Sequence, residues 1–118
     1  MRRMILVTGA TGFIGRHLVA ALLRDGRRVR CLLPAHTRLP AQWETPPDII
    51  EGTLSDEEAL FRAVSGAHVI IHLENAQWWG QPRDLERVEL QGTRNLIAAA
   101  RSARVGRIIT VSHLGAAQ

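Results

Sequence analysis

The 118-residue sequence contains no lysine and no tyrosine, so all 15 of its basic residues are arginines. A phosphate-loop ATPase needs a lysine against its phosphates, Schiff-base chemistry needs a lysine amine, and a tyrosine acid/base with a lysine neighbour needs both. All three are excluded for this chain acting alone. Cys31 is the only cysteine, which rules out an internal disulfide and a cysteine-built zinc site. It falls within an apolar run and is expected to be inert packing. No histidine or acidic pair stands at a spacing that suits a metal site, and no bound metal is expected.

Long hydrophobic runs are also missing. Arg2 and Arg3 precede "MILV", but Thr8, Gly9 and Thr11 break the apolar run too early for a signal segment, and nothing later is long enough to span a bilayer. A cytoplasmic chain with no membrane partner is the expectation. The formal net charge of +4 is carried by arginines scattered among acids, not gathered on one face with aromatics, so no nucleic-acid partner is expected. With 46% hydrophobic residues and no repeat or low-complexity tract, residues 1–118 read as a single domain without an internal boundary. That length is small for a nucleotide-dependent enzyme with its own substrate pocket.

What is present is an alternation of short apolar runs with helical patterns. Met4 to Val7 reads as a strand buried on both faces, and from Phe13 the residues Ile14, Leu18, Ala21 and Leu22 recur at helical spacing until Gly26 stops the helix. Val29 to Leu33 is a second strand halted by Pro34, and the Pro-rich stretch to Pro47 is a loop carrying Trp43. Asp48 to Glu51 makes a short third strand. A capping box of Ser55 and Glu58 then opens a helix with Leu60, Phe61 and Val64 turned inward, ended by Gly66. Ala67 to Leu73 is a fourth strand. A long helix from Pro82 carries Leu85, Val88, Gly92, Leu96, Ala99 and Ala103 on one stripe, closed by Gly106 before a fifth strand from Arg107 to Ser112. This pattern predicts an α/β fold, a Rossmann-type doubly wound parallel sheet in the order 3-2-1-4-5 within three α/β/α layers.

Between the first strand and helix, "VTGATGFIGRHL" sets Gly9, Gly12 and Gly15 at the spacing G-x-x-G-x-x-G. Gly9 permits the tight turn, Gly12 lets the backbone approach a pyrophosphate, and Gly15 lets the helix pack on the strand. Backbone amides around Thr11, Gly12, Phe13 and Ile14 then face an anion at a helix start. The Phe13 and Ile14 side chains are expected to anchor the helix in the core. An acid that would bond the ribose diol of NAD is missing from the tip of the second strand, which reads "CLLPAHTR". Arg16 beside the turn, with His36 and Arg38 after the tip, would instead meet a 2′-phosphate, which favours NADP over NAD.

These motifs together resemble the extended and atypical short-chain dehydrogenase/reductase superfamily, which includes sugar-nucleotide epimerases, NmrA-like proteins and proteins like the complex I 39-kDa subunit. "TGATGFIG" is similar to its phosphate motif, "EGTLSD" to its adenine-side Gly-Asp-Leu-x-Asp, and "VIIHLENA" to its Val-Ile-His-Leu-Ala-Ala. "VELQGTRNLIAAARSARVGRIITVS" looks like the helix and strand that follow. The resemblance covers nearly the whole chain and implies an NAD(P)-binding portion like the N-terminal half of such proteins. By position it implies pyrophosphate on Gly9 to Gly15, adenine near Thr53 and Leu54, and the nicotinamide ribose near Leu73, Glu74 and Ser112.

Three departures bear on how tightly a cofactor is held. Thr53 stands where the family has an Asp, Glu74 replaces a small Ala, and Glu89 replaces an Asn. Catalytic members also pair a Ser or Thr beyond the fifth strand with a Tyr-x-x-x-Lys on the next helix. This sequence reaches "VSHLGA" and stops before such a helix, so Ser112 reads as a cofactor or turn residue and no catalytic residue is assigned. The expectation is a dinucleotide-binding portion of an epimerase-like or reductase-like protein, with a non-catalytic sensor or scaffold module as the alternative. Self-association through the open edge of the fifth strand is expected as well.

Among the remaining polar residues, His72 reads as a hydrogen-bonded structural histidine, and His17 and His68 as surface or strand-end groups. Glu57 and Glu58 suit the positive end of a helix. Trp78 and Trp79 either pack under their loop or an interface, or line a substrate site.

Overall fold

The computed structural model describes residues 3–73 and 82–111, with side chains in the long helix described from residue 90 onward. Strand β1 (Met4–Thr8) is followed by helix α1 (Phe13–Arg24), strands β2 (Arg28–Leu33) and β3 (Asp48–Glu51), and helix α2 (Glu57–Val64). Strand β4 (Ala67–Leu73), helix α3 (Pro82–Ser102) and strand β5 (Arg107–Val111) complete the order. The five strands form one sheet in the order β3-β2-β1-β4-β5, and every pairing is parallel. This is the predicted Rossmann-like arrangement. All five strands therefore end at the same carboxyl edge, where open α/β sheets bind their ligands.

Alternation along the strands divides the core into two layers. Leu6, Leu32, Ile70 and Ile108 point towards α2 and α3, where Leu60, Val64, Leu96 and Ala100 cover them. Val7, Val29, Cys31, Leu33 and Leu73 point the other way, against Val19, Ala20 and Trp43. A strand buried on both faces must be apolar at every position, which is why Met4 to Val7 of β1 reads as a continuous run, whereas β2 is interrupted by Arg30 and is unbroken only from Cys31 to Leu33.

Side-chain direction corrects three sequence expectations. Phe13 and Ile14 are 70% and 52% exposed, so they do not anchor α1 in the core. The buried stripe of that helix is Gly15, Val19 and Ala20, with Leu18, Leu22 and Leu23 packed partly against it. Ile14 and Ala21 lie on the opposite side of the cylinder, because a one-residue error in choosing the stripe rotates it by about 100°. Phe61 is also outward, at 68% exposure, while Ala59, Leu60, Ala63 and Val64 form the inner face of α2. Of the stripe expected on α3, Gly92 and Leu96 are buried and Ala99 and Ala103 pack partly against the same core; Ala100, outside that stripe, is buried as well.

Helix ends follow their local chemistry. The capping box is replaced by a single cap: Asp56, in extended conformation, accepts from the Ala59 amide at 3.1 Å, and the Ser55 hydroxyl turns to Thr53 Oγ1 at 2.9 Å. An ionised carboxylate is the stronger acceptor for an exposed helix amide, so the start moves one residue on. Glu57 and Glu58 fall in the first turn as expected. Gly26 and Gly66 take left-handed angles just beyond α1 and α2, whereas α3 is closed by Arg104 at φ 57° and not by Gly106. Its amide donates to the Arg101 carbonyl at 3.1 Å, and Val105 donates to Ala100 at 3.0 Å, which is a Schellman ending. Arg30 supplies a further cap from β2. Its Nε donates to Asp48 Oδ2 at 2.9 Å, and its Nη1 donates to the carbonyls of Ala63 at 2.9 Å and Ser65 at 2.6 Å, closing the end of α2.

Candidate functional site

Gly9, Thr11, Gly12 and Gly15 form a tight turn between the end of β1 and the start of α1. Gly9 has φ 71° and its carbonyl accepts from the Gly12 amide at 3.3 Å, while the Gly12 carbonyl accepts from Arg16 at 3.0 Å. A side chain at Gly9 would collide with the Leu73 carbonyl at the end of β4, and one at Gly15 would strike Gly9 and come within 2.8 Å of Ala10. Those two glycines serve the fold. Gly12 differs. Its backbone, at φ −68° and ψ 175°, suits any residue, and an added Cβ would meet only the Gly9 carbonyl at 3.5 Å. Nothing described within the protein demands glycine there.

The N-terminus of α1 carries no side-chain cap and no acidic residue in its first turn. The amides of Phe13, Ile14 and Gly15 precede the first helical bond, made by Arg16, and point out of the helix end with its partial positive charge. An anion fits there. The Arg16 guanidinium lies over the Phe13 ring, 5.5 Å from its centroid, and its buried Nε has no hydrogen-bond partner among the described residues. A cationic donor left over beside an uncapped helix start is what a phosphorylated ligand would satisfy. The Phe13 ring, solvent-facing, also meets His17 edge-on at 5.1 Å.

The other expected residues leave the same sheet edge. Leu73 is buried at the end of β4 with its carbonyl against Gly9, which joins it to the glycine turn. Thr53 is exposed and spends its hydroxyl on Ser55. Leu54 is half-buried and backs onto Gly92 of α3, where an added Cβ would stand 2.9 Å from Leu54 Cδ1. Its carbonyl accepts from Asn95 Nδ2 at 3.0 Å, so α3 fixes the segment after β3. A recess of about 450 Å³ between α2 and α3, bordered by Phe61, Asn95 and Ala99, shares only Leu54 with the expected set. Glu74, Ser112, Trp78 and Trp79 lie outside the described residues, as does the side chain of Glu89.

His72 is a structural histidine. It is 1% exposed, with Nδ1 at 2.6 Å from Thr8 Oγ1 and Nε2 at 3.0 Å from Thr93 Oγ1, which ties the tips of β1 and β4 to α3. His17 is exposed, and His68 is exposed on β4 with its Nδ1 accepting from the Met4 amide at 3.3 Å. Burial pushes the Cys31 thiol up to about 12, with the Asp48 carboxylate adding to the effect, so it stays protonated and unreactive. Two contacts escaped the sequence reading. Trp43, placed in a loop by its prolines, is 5% exposed and donates its indole N–H to the Arg16 carbonyl at 3.0 Å. Its aromatic bulk amid polar neighbours was the available signal; nothing in the sequence marked Asn95. Among the described residues no group of three or more His, Cys, Asp or Glu stands where it could hold a metal ion, and no helix is long and apolar enough to cross a membrane.

A parallel sheet in this order, with a glycine turn opening onto an uncapped helix at its carboxyl edge, defines a dinucleotide-binding Rossmann-type protein. The model of the NAD dependent epimerase/dehydratase family matches residues 5–115, and the chain belongs to that family as its N-terminal NAD(P)-binding part. The ceramide reductase of Caulobacter vibrioides is 38% identical over 115 residues, covering 98% of this chain and 36% of that protein. A putative dihydroflavonol 4-reductase of Synechocystis is 34% identical over 118 residues, covering 98% and 34%. The crystal structure of gox2253 matches with a TM-score of 0.82 at 34% identity, over 98% of this chain and 36% of that one. A short-chain dehydrogenase/reductase superfamily protein from Agrobacterium tumefaciens, solved with bound NAD, matches with a TM-score of 0.69 at 37% identity, over 92% and 32%. The chain thus spans about a third of the length of these relatives.

Proposed function

We propose that residues 1–118 form one dinucleotide-holding unit that binds the pyrophosphate on Gly9, Thr11, Gly12, Phe13, Ile14 and Gly15. The observation that carries this is Gly12, a glycine with ordinary backbone angles and open space above it, beside helix amides that no side chain caps. A ligand approaching the main chain explains that glycine; the fold does not. The adenine side would fall near Thr53 and Leu54, and the nicotinamide ribose near Leu73, Glu74 and Ser112.

We further propose a preference for NADP over NAD. Its support is the lack of an acid at the end of β2, where Leu33 gives way to Pro34, together with Arg16 and its unpartnered Nε. His36 and Arg38 follow, both exposed. Equilibrium titration of the folded chain by calorimetry tests both parts: NADP⁺ should bind more tightly than NAD⁺, and no binding of either at millimolar concentration would refute the reading.

Within these residues no side chain is assigned a catalytic role. Proton transfer by tyrosine and lysine has no donor here, since neither residue type occurs, and the chain's part in any reduction or epimerisation is to hold and orient the dinucleotide. Strand β5 pairs with β4 alone among the described residues, and self-association along that edge is proposed from its free backbone groups. Light scattering at high concentration would show oligomers, and a monodisperse monomer would refute it.

A further inference from the structure

Two successive residues of the β2–β3 loop grip two successive residues of α1. Trp43 donates to the Arg16 carbonyl at 3.0 Å, and Gln42 Nε2 lies 3.3 Å from His17 Nδ1. The indole is buried in the same cluster as Val7, Ala10, Val19 and Leu33, while Ala41, Gln42, Glu44 and Thr45 around it are exposed, so that side chain pins this Pro-rich loop to the core beside α1. A local turn ends at Trp43, whose amide donates to the Pro40 carbonyl at 3.1 Å. Another starts the loop, with the Thr37 hydroxyl donating to the Pro34 carbonyl at 2.6 Å and His36 held at φ 64°.

We infer that Trp43 is a positioning residue for the 2′-phosphate, fixing the separation between Arg16 on α1 and the His36–Arg38 arm of the loop. This rests on the proposed NADP preference and adds the element that sets it. Trp43 holds the carbonyl of Arg16, and the loop that carries His36 and Arg38 is anchored to α1 through that same indole a few residues further on. A 2′-phosphate needs cations on a defined spacing, because each charge-assisted hydrogen bond has a narrow range of length and angle. NAD, which lacks that phosphate, is indifferent to the spacing. Trp43 therefore acts on the ratio of the two affinities, whereas a residue that only supported the fold would weaken both alike.

Calorimetric titration of the full chain with NADP⁺ and NAD⁺ decides the matter. Trp43→Phe keeps an aromatic ring in the pocket and removes the N–H donor. It should weaken NADP⁺ binding about fivefold, the equivalent of one neutral hydrogen bond, and leave NAD⁺ within about twofold. An unchanged ratio in folded Trp43→Phe overturns the inference. If that variant does not fold, Gln42→Ala decides, with a fall in the ratio expected and an unchanged ratio overturning it. Arg16→Gln separates this from the reading beneath it. Loss of NADP preference in Arg16→Gln with retention in Trp43→Phe overturns the role of Trp43 alone. A wild-type chain without preference overturns both.

Discussion

Thr8 and His72 face each other in register on β1 and β4, and their side chains meet at 2.6 Å in the buried floor beneath the glycine turn. The same imidazole reaches Thr93 of α3 at 3.0 Å, so one ring couples two strand tips and a helix. Removing a hydroxyl from this group takes a hydrogen bond away from a buried imidazole. Thr8→Val should cost about 1–3 kcal/mol, and its effect should be non-additive with Thr93→Val, since both act through His72. Urea denaturation of the two single variants and the double variant measures this. Costs near zero that simply add would contradict the coupling.

The glycines of the turn should respond differently to substitution. Gly15→Ala drives a methyl into Gly9 and Ala10 and should destabilise by about 1–3 kcal/mol. Gly12→Ala adds a methyl at ordinary contact distance and should lie within about 0.5 kcal/mol of wild type. Thermal melts compare the pair directly; equal losses would show that Gly12 also serves the fold.

Alkaline titration isolates Cys31. Its thiol value rises from 9.0 to about 12 on folding, and for a group raised in this way the stabilisation is complete below the unfolded value. It is then lost as pH climbs from 9 towards 12. With no lysine or tyrosine in the chain, no other side chain has its ordinary value in that window. Stability should fall by an amount on the order of a few kcal/mol across it, and Cys31→Ala should flatten the slope. Identical pH slopes in the two proteins would assign the loss elsewhere.

Arg104 holds a left-handed angle that a glycine adopts freely. Relief of that strain, roughly 1–2 kcal/mol, exceeds the added chain entropy of glycine, roughly 0.5–1 kcal/mol. Arg104→Gly should therefore raise the melting temperature. A lower one would mean that the arginine makes compensating contacts.

Sheet order and strand positions were legible because the strands are built on short apolar runs such as Met4 to Val7, Cys31 to Leu33 and Val69 to Ile71, and because Gly9, Gly26 and Gly66 punctuate the chain where left-handed angles are needed. Helix faces were read less well. Periodicity locates a helix but leaves its rotation ambiguous by one residue, and Phe13, Ile14 and Phe61 are apolar residues facing outward, which a burial rule misassigns. Phe13 and Ile14 flank the expected ligand turn, so their exposure there fits a surface that a larger molecule covers. Asp56 against Ser55, and Arg104 against Gly106, were choices between adjacent candidates that only backbone angles decide. Of the candidate site, the tight turn at Gly9 and the close approach at Gly15 were written in the glycine spacing. The Trp43 and Asn95 contacts were not, because they join residues 27 and 41 positions apart through single hydrogen bonds that leave no periodic trace.

The central claim is that the open space above Gly12 belongs to a dinucleotide. Calorimetric titration of wild type and Gly12→Val with NADP⁺, on samples matched for melting temperature, tests it most directly. The account predicts saturable binding by wild type and at least a tenfold loss, roughly 1.4 kcal/mol or more, in a variant that remains folded. Equal affinity in both proteins would contradict it.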